Sequence, residues 1–132
     1  MVSVVYFEDD ALSRQVMALT LKMLVKNVES QIFEDSTDFL GRLQTLPSPP
    51  DLIFVDIHMQ PHNGFQVLKG IRAEERYHTS RVVALTASVM NEEVKLLREA
   101  GFDGVIGKPI DAGGFPDLVQ RILAGEKVWR PT

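Results

Sequence analysis

Five times along the 132 residues, a short run rich in β-branched and aromatic residues gives way to a longer stretch whose apolar residues recur at helical spacing. Residues 2–7, VSVVYF, lead into 11–26, rich in Leu, Met, Ala, Arg and Gln. Residues 28–33 precede Ser36 and Thr37, good amino-terminal caps for a helix through FLGRLQTL that the PSPP segment ends. A third strand over 51–55 is followed by a loop through Asn63-Gly64 and a helix over 65–73. A fourth, over 82–86, precedes a helix over 91–100 that Gly101 closes; a fifth, over 104–106, precedes Lys108-Pro109 and a helix over 115–123. Such alternation requires parallel strands, because each crossover is right-handed and each helix must bury its apolar stripe. The expected fold class is α/β, a doubly wound five-stranded parallel sheet with five helices on two faces. Ligands of such sheets bind at the carboxyl ends of the strands, where the strand order reverses. A functional site is therefore to be sought at the strand exits.

Composition narrows what such a site does. The formal net charge of −4 argues against a general affinity for nucleic acid or anionic membrane, and no basic cluster interrupts it. The absence of cysteine excludes disulfides, zinc-thiolate sites and thiol catalysis, and fits a reducing compartment. The apolar start MVSVVYF lacks a positive flank and runs straight into three acids, so it reads as a strand and not as an export signal. No other apolar run approaches the roughly 18 residues of a membrane span, and a cytoplasmic protein of one domain is expected, without linker, repeat or low-complexity segment.

Strand three ends abruptly in a carboxylate: LIFVDIHMQPHNG runs from an apolar stretch into Asp56 and then a turn-rich loop. A strand covered on both faces has little tolerance for an unpaired charge, so Asp56 must sit at the exit. Strand one exits into Glu8-Asp9-Asp10, strand four into Thr86 and strand five into Lys108. Each has an ordinary reading alone: helix capping for the acids, strand-end filling for Thr86, a surface lysine before a turn. Together they put several carboxylates on one edge, where mutual repulsion drives a pKa upward unless a cation intervenes. With oxygen donors only, the expected ion is Mg²⁺, which takes one or two protein carboxylates plus phosphoryl oxygens. Lys108 supplies a positive charge and Thr86 a hydroxyl for the same phosphoryl group, and Asp56 stands where a carboxylate nucleophile would.

These residues resemble the receiver domain of two-component response regulators, of the chemotaxis-regulator kind. FEDD, VDIHMQPHNG, ALTA and GKPI stand in the family's order and spacing across practically the whole chain. The resemblance implies a flavodoxin-like strand order 2-1-3-4-5, with residues 1–125 as the receiver domain and 126–132 as a carboxyl-terminal tail. It implies that Asp56 is phosphorylated from a partner's phosphohistidine, on a sensor histidine kinase or a histidine phosphotransfer protein. It further implies that Glu8, Asp9, Asp56 and the backbone carbonyl of His58 hold Mg²⁺, with Asp10 an additional acid. Thr86, Ala87 and Lys108 would bind the phosphoryl group and carry the switch, and the peptide before Pro109 would be cis. The function so implied is Mg²⁺-dependent phosphoryl acceptance that switches a protein-binding surface, in a monomer or weak dimer, not a turnover enzyme.

Two departures stand out. The usual Met-Pro is Met59-Gln60-Pro61, and Val105 occupies the place where many members carry a Tyr or Phe that reports the phosphorylated state. The signal is then expected to pass through the segment after Thr86, with Ala87, Ser88 and Val89, and the following helix. Alternatives are an aspartyl-phosphate phosphohydrolase, which would want a second carboxylate where His58 stands, and a phosphorylation-independent interaction module. His58, His62 and His78 lack regular ligand spacing. Trp129 either covers the last helix or meets a partner, and the first-helix stripe with Met17, Leu21 and Leu24 is mainly core, its more exposed members being candidates for kinase docking. The residues after the fifth helix leave no room for an output domain, so either a stand-alone receiver or a piece of a larger protein is expected.

Overall fold

The computed structural model describes residues 1–130. Its strands are β1 (Val2–Phe7), β2 (Val28–Phe33), β3 (Leu52–Asp56), β4 (Arg81–Thr86), β5 (Gly104–Gly107) and β6 (Val128–Arg130). Its helices are α1 (Ala11–Leu24), α2 (Phe39–Gln44), α3 (Gly64–Arg72), α4 (Asn91–Ala100) and α5 (Phe115–Leu123), with an unforeseen 3-10 turn at Glu75–Tyr77. All pairings are parallel, in the order β2-β1-β3-β4-β5-β6.

Sequence dictates the layering. LIFVD of β3 is buried at every position, as a central strand covered on both faces must be, whereas VESQIF of β2 is exposed at its middle three residues and lies at the sheet edge. Successive residues of β1 face opposite ways. Val4 and Tyr6 pack with Met17 and Leu21 of α1 and with Phe115, Val119 and Ile122 of α5. Val5 and Phe7 pack with Leu43 of α2, Val67, Leu68 and Ile71 of α3 and Leu97 of α4. Burying each such large side chain stabilises the fold by about 1.5–3 kcal/mol.

Two expectations change. Ser36 and Thr37 do not cap α2: its cap position is Asp38, with φ 48° and no capping hydrogen bond from its side chain. The fully buried Ser36 is diverted to the next loop, where its hydroxyl donates to the His62 carbonyl at 2.7 Å and accepts from the His62 N–H at 2.8 Å. Val128–Arg130, read above as tail, adds β6 to the sheet; residues 131 and 132 of that tail lie outside the described residues. Trp129 then packs on the α2–α3–α4 side of the sheet, away from the core of α5. Gly101 ends α4 as expected, at φ 107°, a conformation that glycine adopts without penalty.

Candidate functional site

β1 pairs Phe7 with Val55, and the same parallel register carried one residue further sets Glu8 beside Asp56, where the strand order reverses. On the other side Asp56 pairs with Leu85 of β4, and Thr86 pairs with Gly107 of β5, just ahead of Lys108. Segments far apart in sequence thus end at one place.

Glu8 is fully buried, and its Oε1 accepts from the Tyr6 hydroxyl at 2.5 Å and from Lys108 Nζ at 2.8 Å. Lys108 Nζ also reaches Asp56 Oδ1 at 3.4 Å, and Asp56 is only 4% exposed. One carboxylate oxygen from each of Glu8, Asp9 and Asp56 lies within 4.8 Å of the others. Asp9 faces solvent. Asp10 belongs to α1 instead, where its Oδ2 caps the helix by accepting from the Ser13 N–H at 2.8 Å and hydroxyl at 2.7 Å. The acidic triplet therefore divides into two residues for the pocket and one for the helix.

Burial pushes the Asp56 carboxyl up to about 7, and the neighbouring Glu8 adds to the push; Lys108 opposes it without cancelling it. Burial acts in the same sense on Glu8, but hydrogen bonds from Lys108 and Tyr6 outweigh it and hold Glu8 below the usual glutamate range. Burial alone would depress Lys108, yet Glu8 and Asp56 prevail and raise it. Burial and the bond to Glu8 raise the Tyr6 phenol, which stays protonated and able to donate. Two buried carboxylates thus share one ammonium, and the pocket lacks positive charge. With carboxylate oxygens as its donors, that shortfall fits a hard divalent cation.

Thr86 is buried, and its Oγ1 accepts from the Ser88 N–H at 3.1 Å, while Ala87 between them is exposed. The Lys108-Pro109 peptide is cis as the resemblance implied, and so is Gln60-Pro61 in the loop after β3. That loop is drawn tight against α3: a Cβ on Gly64 would lie 2.9 Å from Ile57 Cα and 3.0 Å from the Asp56 carbonyl oxygen. Asn63 and Gln66 exchange side chain to backbone bonds at the start of α3, fixing where the helix begins. His58 is exposed on the loop, His78 is exposed and has Nδ1 2.8 Å from the Glu75 carbonyl oxygen, and His62 is tied to Ser36 by its backbone. Among the described residues, the one acidic or histidine cluster with ligand spacing is Glu8, Asp9 and Asp56. Tyr6 and Ser36 were not foreseen. Tyr6 was legible, since it stands two residues before Glu8 on the same strand face, whereas the service of Ser36 to a loop 26 residues away was not.

No described helix is long and apolar enough to cross a membrane. The family described as "Response regulator receiver domain" matches residues 4–122. Among curated proteins, the chain is 30% identical over 122 residues to hybrid signal transduction histidine kinase L of Dictyostelium discoideum, covering 89% of this chain and 7% of that protein. It is 31% identical over 74 residues to the polar-differentiation response regulator DivK of Brucella ovis, covering 56% of this chain and 60% of that protein. The chain thus spans less than two thirds of either relative. Among solved structures, chemotaxis response regulator CheY4 of Vibrio cholerae shares the fold with a TM-score of 0.82 at 24% identity, over 92% of this chain and 98% of that one. So does the receiver domain of sensor histidine kinase PA1611 of Pseudomonas aeruginosa PAO1, solved with magnesium in its active site cleft: TM-score 0.79, 20% identity, 92% and 97% coverage. With its fold, its strand-exit cluster and a family match over nearly its whole length, the chain belongs to the response regulator receiver domains of two-component signalling.

Proposed function

We propose that Asp56 accepts a phosphoryl group from a phosphohistidine, on a sensor histidine kinase or a histidine phosphotransfer protein, and that the acyl phosphate so formed switches a protein-binding surface. The observation that carries this reading is the buried Asp56 carboxylate placed between the Glu8-Asp9 acids and the Lys108 ammonium. Mg²⁺ would be held by Glu8, Asp9, Asp56 and the His58 backbone carbonyl, and when bound it supplies charge that stabilises the phosphoryl oxygens. An Asp56 carboxylate oxygen attacks phosphorus, the phosphorus–nitrogen bond breaks, and its electron pair returns to the imidazole. Lys108 holds one phosphoryl oxygen, Thr86 donates its hydroxyl to another and Ala87 offers its backbone N–H. Tyr6 keeps the Glu8 carboxylate ionised and oriented through its hydrogen bond.

The donor must lay a surface against this edge. Leu12, Val16, Leu19 and Met23 form an exposed apolar stripe along α1, and Leu12 and Val16 adjoin Lys108 and Pro109 in one groove. That stripe is the docking surface for the donor, and the reaction belongs to the cytoplasm. The domain assists its own phosphorylation and the later hydrolysis, which restores the Asp56 carboxylate, and it carries one phosphoryl group per chain as a signal. Incubation with acetyl phosphate and Mg²⁺ should add one phosphate by intact mass, and Asp56→Asn should abolish the addition. Undiminished uptake in that variant would remove Asp56 from the role, and sustained turnover of a phosphate monoester would favour a phosphohydrolase.

A further inference from the structure

β6 is built to lie on β5, and the fit is specific. Its register sets Val128 opposite Gly104 and Trp129 opposite Val105. A Cβ on Gly104 would come 2.7 Å from the Val128 carbonyl oxygen, so the close approach of β6 requires glycine there. Val128 is 2% exposed and packs into the core beside α5. Trp129 lies half-buried on the other face, against the cluster that holds Val105, Ala84 and Leu97, with the Arg98 guanidinium of α4 4.9 Å above its ring. An aromatic side chain thus stands over the small Val105, delivered from a neighbouring strand and clamped from outside by α4.

α4 is the element most free to move that clamp. Leu97 is its one fully buried residue among those described, and no side chain caps its amino terminus at Met90. Its approach is set by the turn where the Ser88 N–H is held by Thr86 Oγ1. A helix with one buried anchor and an uncapped start belongs to the low-stability end of a fold. A phosphoryl group that drew the Thr86 hydroxyl toward Asp56 would alter the bond to Ser88, shift the start of α4 and carry Arg98 off the Trp129 ring.

We propose that β6 is a releasable cover on the edge of β5, anchored by Trp129, and that loading the pocket at Asp56 loosens it through Thr86 and α4; this rests on the phosphoryl-acceptor reading above. Release would bare the backbone N–H and carbonyl groups of β5, changing which surfaces this side of the domain offers. Trp129 is the only tryptophan of the chain, so its emission reports on β6 directly. In the full chain treated with Mg²⁺ and acetyl phosphate, with uptake followed by intact mass, the emission should shift to the red and become more readily quenched by acrylamide in step with uptake. Gly104→Ala, which pushes β6 away without touching the pocket, should show both changes before any phosphodonor is added. Because coupling between two sites is reciprocal, Gly104→Ala should also bind beryllofluoride with Mg²⁺ about fivefold or more tightly than the unaltered chain. Uptake with an unchanged or blue-shifted emission, or wild-type beryllofluoride affinity in a Gly104→Ala protein whose emission has already shifted, overturns the inference and leaves the phosphoryl-acceptor reading standing. Absence of any uptake removes that reading and this inference with it.

Discussion

A carboxyl that burial and the neighbouring Glu8 push from an ordinary value of 3.8 up to about 7 resists ionisation in the metal-free protein, and that resistance is measurable. The folded-state value of Asp56 lies above the unfolded one, so Asp56 contributes stability that is fully present below about pH 4 and is lost as the pH rises to about 7. Asn at this position has no proton to lose. Relative to Asp56→Asn, metal-free wild type should therefore lose up to about 1.4 kcal/mol per pH unit between about pH 5 and 7. Urea denaturation at several pH values reads this difference; parallel pH profiles would contradict it. Saturating Mg²⁺ should reduce the slope, since a coordinated carboxylate is favoured in its ionised form. Tyr6 is a second residue whose role is testable, because it holds the buried Glu8 carboxylate by one short hydrogen bond. Tyr6→Phe deletes that donor with little change of shape and should cost about 1.5–3 kcal/mol by the same denaturation assay.

At the scale of elements, the site is only as rigid as the loops that leave the sheet. Gly64 lets α3 begin against Ile57 and the Asp56 carbonyl, and Ser36 ties the loop after β2 to the loop after β3. Gly64→Ala must push one of these backbones aside and should destabilise by about 1–3 kcal/mol. It should also slow phosphoryl uptake, because the displaced group is the residue pair that carries Asp56. Wild-type stability and uptake in this variant would show that the close approach is not needed. The elements that could be read from sequence were those whose own residues specify them. The apolar runs of β3 and β4 and the periodic stretches of α1, α4 and α5 carry their burial in their composition. α2 was misjudged at its start because Ser36 and Thr37 look like caps, yet Ser36 is satisfied by a distant backbone and the chain turns at Asp38 in a left-handed conformation. β6 was illegible for a related reason: three residues carry no periodicity, and their pairing depends on the room left by Gly104.

For the whole molecule, the parallel sheet does most of the positioning. Because every strand runs the same way, reading four exits in the sequence sufficed to gather Glu8, Asp9, Asp56, Thr86 and Lys108, although Lys108 stands 100 residues from Glu8. What the exits could not reveal was the division of labour within them: that Glu8 is buried and held by Tyr6, and that Asp10 serves the helix instead. The exposed stripe of α1 is a property of the assembled surface, since Val16, Leu19 and Met23 face outward while Met17 and Leu21 of the same helix are core. Leu19→Ser should therefore change stability by no more than about 0.5 kcal/mol and leave uptake from acetyl phosphate unaltered, while lowering the rate of transfer from a phosphohistidine protein. Equal loss with both donors would argue against docking. The central claim is that one carboxylate, at position 56, receives the phosphoryl group in a pocket that needs a divalent cation. Borohydride reduction of the chain after treatment with acetyl phosphate and Mg²⁺, followed by peptide mapping, tests it most directly. The expected result is a reduced side chain at position 56 alone, absent when the cation is chelated; reduction at another acid, or at position 56 without any divalent cation, would contradict it.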